Sequence, residues 1–182
     1  AQDFLAALAK GSRLPITPAF DTFLNQNGVP RLDVRLQCAA DGPKLTLAQQ
    51  RLVPLGAIGG EPRHWQIPVC IRYGSGQATA RESCLLLTRD RATVPLAGGC
   101  PAFVFANAGG RGYYVPDYGA DLLTRIAGNR NALTPAELAS LLRSAAAPTA
   151  TPAETGVVNA YEAFSRGLLN REAETFEAPG TI

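Results

Sequence analysis

The sequence has no methionine, not even at position 1, one histidine, one tryptophan, and only two lysines among its seventeen basic residues. Each scarcity removes a class of function. With His64 alone, a His-Glu-x-x-His zinc helix cannot be built, and a Ser–His or Cys–His nucleophile pair would have to use that one ring. Lys10 and Lys44 stand far apart and the formal net charge is only +2, whereas a nucleic-acid interface needs clustered lysine and arginine. No run approaches the roughly eighteen apolar residues that a membrane helix requires. The opening AQDFLAALAKG lacks a basic leader region and does not read as a secretory signal. The missing methionine sets the expectation that this is a piece of a longer chain.

Cysteine is sparse as well. Cys38, Cys70, Cys84 and Cys100 form no Cys-x-x-Cys pair, so zinc-ribbon spacing is absent. Two disulfides in any of three connectivities, or four small buried thiols, are both compatible with the count. The even number leans toward a periplasmic or exported protein without deciding the compartment. The acids suggest no acid–base pair: Asp33 faces outward on a strand, and Asp41, Glu61 and Asp90 fall in turns.

What is present is ordinary globular material: 182 residues, 46% hydrophobic and 18% charged, enough for one domain or one domain and part of another. The periodicity runs helix, strands, helix. Residues 3–10 carry Phe4, Leu5 and Leu8 at helical spacing and should stop at Gly11. A second helix is predicted from Thr17 as N-cap and Pro18 at the first helical position, ending near Gln26. RLDVRLQCA then alternates, with Leu32, Val34, Leu36 and Cys38 on one face. Alternation returns through Leu45 and Leu47, and again through Trp65, Ile67, Val69, Ile71 and Tyr73, where Pro68 predicts an edge or a bulge. With residues 77–88, 92–96, 102–107 and the stretch after Gly112, seven short strands predict a two-sheet, Ig-like β-sandwich. Two helix starts follow. One is Thr134, Pro135 and Glu137, a capping box leading to Leu138, Leu141 and Leu142. The other is Thr151, Pro152 and Glu154, leading through Tyr161 and Phe164 to Leu168.

The most conspicuous segment is FANAGGRGYYVPDYG, residues 105–119, with four glycines and three tyrosines. It has neither G-x-x-x-x-G-K-[ST] nor G-x-G-x-x-G, and no lysine to meet a phosphate. It reads as a corner: Gly109 and Gly110 at positive φ, Gly112 admitting a neighbouring strand, and Tyr113 and Tyr114 on opposite faces. Pro116 should end that strand, with a helix starting near Asp117 or Gly119.

Taken in order, several of these motifs resemble the region after the catalytic domain in gluzincin zinc aminopeptidases of the aminopeptidase N type. The matching positions are Gly28 and Pro30; Leu45, Leu47, Gln49 and Arg51; Trp65, Ile67 and Pro68; and Asn107, Gly112, Tyr113, Tyr114 and Tyr118. The family's arginine after the tyrosine pair is Val115 here, so that arginine's role does not carry over. The resemblance implies a map. Residues 1–28 would be the last helices of the catalytic domain, 29–115 the β-sandwich domain, and 116–182 the start of the C-terminal α-helical domain. The family's zinc ligands and catalytic residues lie upstream of such a segment. No residue here is therefore assigned a catalytic, cofactor-binding or metal-ligating role, and zinc and the peptide substrate belong to the parent. The function implied is that of a non-catalytic spacer, partnered by the rest of the parent chain, with no nucleic acid and no membrane span. The alternative is an independent Ig-like binding or adhesion module, which should begin and end close to the sandwich edges.

Overall fold

Alternating apolar residues become two sheets that share one core. The computed structural model describes residues 2–12, 15–53, 57 and 60–145. The helix expected from Thr151 lies outside them. Two helices lead: α1 (Gln2–Ser12) and α2 (Thr17–Leu24). Seven strands follow: β1 (Pro30–Ala39), β2 (Gly42–Arg51), β3 (Ile67–Gly74), β4 (Arg81–Leu87), β5 (Arg91–Pro95), β6 (Phe103–Phe105) and β7 (Val115–Tyr118). Helices α3 (Ala120–Gly128) and α4 (Pro135–Ala145) come last among the described residues.

One sheet has the order β5-β2-β1-β7 and the other β4-β3-β6. All pairings are antiparallel except β1 with β7, which run parallel. Leu32 and Val34 of β1 and Leu45 and Leu47 of β2 meet Ile67, Val69 and Ile71 of β3, with no exposed surface on any of them. Their polar alternates face outward, as a half-buried strand requires. Trp65 enters the same core just ahead of β3. Strand β6 is different, because Phe103, Val104 and Phe105 are all buried. One of its faces turns to the sandwich core and the other is covered by helices, whose Leu122, Leu123, Ile126 and Leu141 join the same cluster together with Leu133 from the connection between α3 and α4. The architecture is thus a two-sheet β-sandwich flanked by helices.

Several local expectations need correction. α1 runs through Gly11 to Ser12, because a glycine with ordinary helical freedom weakens a last turn without ending it. The N-cap of α2 is Ile16, which makes no side-chain cap, so Thr17 and Pro18 sit one position deeper than expected, and the helix ends at Leu24. β3 is a central strand, yet it pairs with β6 only at Arg72–Gly74. At Pro68 it has a partner on the β4 side alone, which is where a residue without N–H is tolerated. Pro116 does not end its strand. It pairs with Leu32 inside β7, the outer strand of its sheet, where the missing donor costs no ladder bond. α3 begins after it, at Ala120.

The cysteines are paired. Cys38–Cys100 ties the end of β1 to the loop before β6 across 62 residues, and Cys70–Cys84 joins directly opposed residues of β3 and β4. The alternative of four buried thiols falls; Cys38, Cys84 and Cys100 are in fact exposed.

Candidate functional site

The glycine-rich segment sits where the sandwich meets α4. After β6, Asn107 turns the chain and Gly109 and Gly110 adopt φ of 66° and 65°, both in the left-handed region expected of them. This geometry points the Gly109 N–H at the Glu137 carboxylate, which it meets at 3.1 Å. Asn107 is itself buried; its amide oxygen accepts from the Gly112 N–H at 2.7 Å and its nitrogen donates to Ser140 Oγ of α4 at 3.1 Å. The loop therefore docks on the first turns of α4 through main-chain and side-chain bonds alike.

Glu137 is the centre of this junction. It closes the expected capping box: the Thr134 N–H donates to its Oε2 at 2.8 Å and its own N–H donates to Thr134 Oγ1 at 3.3 Å. The same carboxylate then accepts a forked pair of bonds from Arg72 of β3, through Nε at 2.8 Å and through Nη2. Arg72 also donates to the Ala132 carbonyl at 2.6 Å and lies 5.3 Å over the Phe103 ring. Burial by itself would raise the Glu137 carboxyl. The bonds from Arg72, Thr134 and Gly109 outweigh it and hold the group below the usual carboxylate range.

The tyrosines fasten the other side. Tyr114 O–H donates to the Ala106 carbonyl at 2.7 Å, and the Ala106 N–H donates to Tyr118 Oη at 3.1 Å, so both phenols grip one residue at the end of β6. Burial pushes the Tyr114 phenol far above its ordinary range, which keeps it a donor. Tyr113 points out, is 68% exposed, and meets Phe23 of α2 edge-on. One tyrosine thus faces out and the other in, as expected, but the pair lies in a bend ahead of β7 and not in the strand expected there. At Gly112 the nearest neighbour is not the strand expected but the Tyr114 ring, from which a Cβ would lie 2.1 Å.

The remaining motif residues form a second bracket. Buried Gln49 accepts from the Trp65 N–H and donates to the Trp65 carbonyl, both at 2.8 Å, and donates to the Arg89 carbonyl at 3.0 Å. It thereby joins β2 of one sheet to the start of β3 in the other. Gly28, at φ 111°, brings the chain into β1 beside Arg51 and Trp65. Leu45, Leu47, Trp65 and Ile67 are core, Pro30 opens β1, and Pro68 is exposed. These positions pack and brace the sandwich.

His64 is held at a turn by Asp90 at 2.9 Å and the Thr88 carbonyl at 3.0 Å. Among the described residues one donor group, Cys70, Glu82 and Cys84, lies close together, and its two sulfurs are already bonded to each other. Among the described residues, too, no helix is long and apolar enough to cross a membrane.

Sequence reading singled out Glu137 as a cap but missed Arg72, Ser140 and the bracing by Gln49. A signal for Arg72 was available: β6 is apolar on both faces, so a helix must cover the sheet side on which Arg72 projects.

No family model matches the sequence. Over 124 residues, 68% of this chain, it is 26% identical to the puromycin-sensitive aminopeptidase of Caenorhabditis elegans. The match spans only 13% of that relative's length. The chain is therefore similar, at a distance, to a short stretch of an aminopeptidase.

Proposed function

We propose that this chain is a non-catalytic part of a zinc-dependent aminopeptidase of the gluzincin type. It serves as a braced spacer between a catalytic domain upstream and a helical domain downstream. The distant similarity supports a link to aminopeptidases, and the Glu137 junction is the observation behind the spacer role. A carboxylate bonded at once to β3, the glycine loop and its own helix start makes α4 move with the sandwich. Residues 1–28, 29–115 and 116–182 are the proposed catalytic-domain end, Ig-like sandwich and helical-domain start. In the parent, fixing the helical domain would shape the approach of a peptide whose N-terminal residue is removed. The zinc and the catalytic groups belong to that parent. The two disulfides support an exported or periplasmic location.

The test is direct. The purified 182-residue chain, incubated with zinc and an aminoacyl-arylamide, gives no turnover above buffer. Chelator-sensitive turnover that persists at constant specific activity through further purification overturns the assignment.

A further inference from the structure

The two disulfides sit in opposite electrostatic settings. At Cys100, the Arg125 guanidinium of α3 lies 3.8 Å from Sγ and also donates to the Pro101 carbonyl at 3.4 Å. At Cys84, a carboxylate oxygen of Glu82 lies 3.8 Å from Sγ, and Arg111 pairs with that same oxygen at 2.7 Å. A departing thiolate is stabilised by an adjacent cation and opposed by an adjacent anion. Access differs too. Cys38 lines a cleft of about 490 Å³ between the end of β1 and the start of α3, with Arg35, Asp121 and Arg125 around it. Cys38 and Cys100 are both exposed, whereas in the other pair Cys84 is exposed and Cys70 is half-buried.

We infer that Cys38–Cys100 is a site of directional thiol–disulfide exchange with small thiols, while Cys70–Cys84 is structural. An incoming thiolate attacks Cys38 Sγ from the cleft. A new S–S bond forms to Cys38, the Cys38–Cys100 bond breaks, and its electron pair leaves on Cys100 beside Arg125. One disulfide and one thiolate are consumed and one of each is produced, so no further oxidant or reductant enters. The reverse step, Cys100 thiolate attacking the mixed disulfide, restores the staple. Opening frees the loop before β6 from the end of β1, next to the α3 residue that holds that loop. The inference stands on the two sulfur environments and is independent of the aminopeptidase reading.

The experiment exposes the folded 182-residue chain to graded glutathione at neutral pH, quenches with acid, alkylates free thiols and maps all four cysteine peptides. Expected is glutathione on Cys38 with alkylated Cys100 while Cys70–Cys84 is still closed. Removing the charge with Arg125→Gln slows this opening roughly threefold or more, at about half a decade per unit of leaving-group pKa, and Arg125→Lys keeps it fast. Glu82→Gln, on the other face of the fold, speeds opening of Cys70–Cys84. Simultaneous opening of both disulfides, the adduct on Cys100 instead of Cys38, or a rate indifferent to Arg125→Gln overturns the inference.

Discussion

Arg72 and Glu137, 65 residues apart in the chain, meet as a buried ion pair whose carboxylate is also held by the N–H groups of Thr134 and Gly109. Three separate segments converge on one side chain. Removing either partner strands the other charge in the junction, which for a buried pair costs about 3–5 kcal/mol.

Glu137→Ala should therefore lose about 3–5 kcal/mol in urea unfolding at pH 7. The pH dependence has a definite sign. The folded-state carboxyl lies below its ordinary value of 4.5, so its stabilisation is fully present above pH 4.5 and is lost as pH falls through the lower folded value. The gap between wild type and Glu137→Gln narrows in that acid window. A gap that stays constant from pH 7 to pH 2 would show that the carboxylate charge does not hold the junction.

Gln49 and Trp65 form a shorter-range brace. Trp65→Ala empties a fully buried site and should cost about 3–5 kcal/mol. Gln49→Ala leaves the Trp65 N–H and carbonyl without their partner and should cost about 1–3 kcal/mol. The double variant should come close to the sum, because Gln49 grips the main chain at position 65, whose N–H and carbonyl an alanine keeps. Unchanged melting of a cooperatively folded Trp65→Ala protein would contradict this placement.

The glycines separate into three cases. Gly112→Ala must displace the Tyr114 ring from a would-be contact of 2.1 Å and thereby break its bond to Ala106. Gly110→Ala combines φ of 65° with a would-be contact of 2.8 Å to the Ala136 carbonyl. Both should lower the melting temperature, by an amount set by loss of tertiary bonds. Gly11→Ala meets nothing within 4 Å inside α1 and should be stabilising by about 0.5–1 kcal/mol in that helix. Equal effects at all three positions would remove the argument for a shaped loop.

α1 and α2 keep apolar side chains on the surface: Phe4 is 64% exposed, Leu24 57% and Phe20 40%. If these faces are meant to lie against a further domain, the isolated chain should bind a hydrophobicity-reporting dye or self-associate in light scattering. Phe4→Ser with Phe20→Ser and Leu24→Ser should abolish the signal with little change in sandwich stability. A strict monomer without dye binding would count against a covered face.

How much of this was legible in the sequence depended on the range of the interaction. The alternation around Val34 and Ile71 identified strands because a strand's faces repeat every second residue. Thr134 and Glu137 announced a helix start because a capping box is closed within four residues. Tyr113 and Tyr114 do split between outside and inside, but in a bend ahead of β7 and not by strand alternation. The pairing of Cys38 with Cys100 could not be read, since three connectivities fit four cysteines. The bond of Arg72 to Glu137 was not read, because the two lie 65 positions apart and no local pattern pairs a strand arginine with a distant helix cap. Pro116 misled through a rule that holds for inner strands, and only the sheet order shows that β7 is an edge.

The most direct test of the central claim, that sandwich and following helix form one braced body, is native-state hydrogen exchange on the 182-residue chain. The expected result is protection of α4 amides close to that of β3, with α4 alone losing protection in Glu137→Gln. Fast exchange throughout α4 beside a protected β3 in the wild type, unaltered by the substitution, would contradict it.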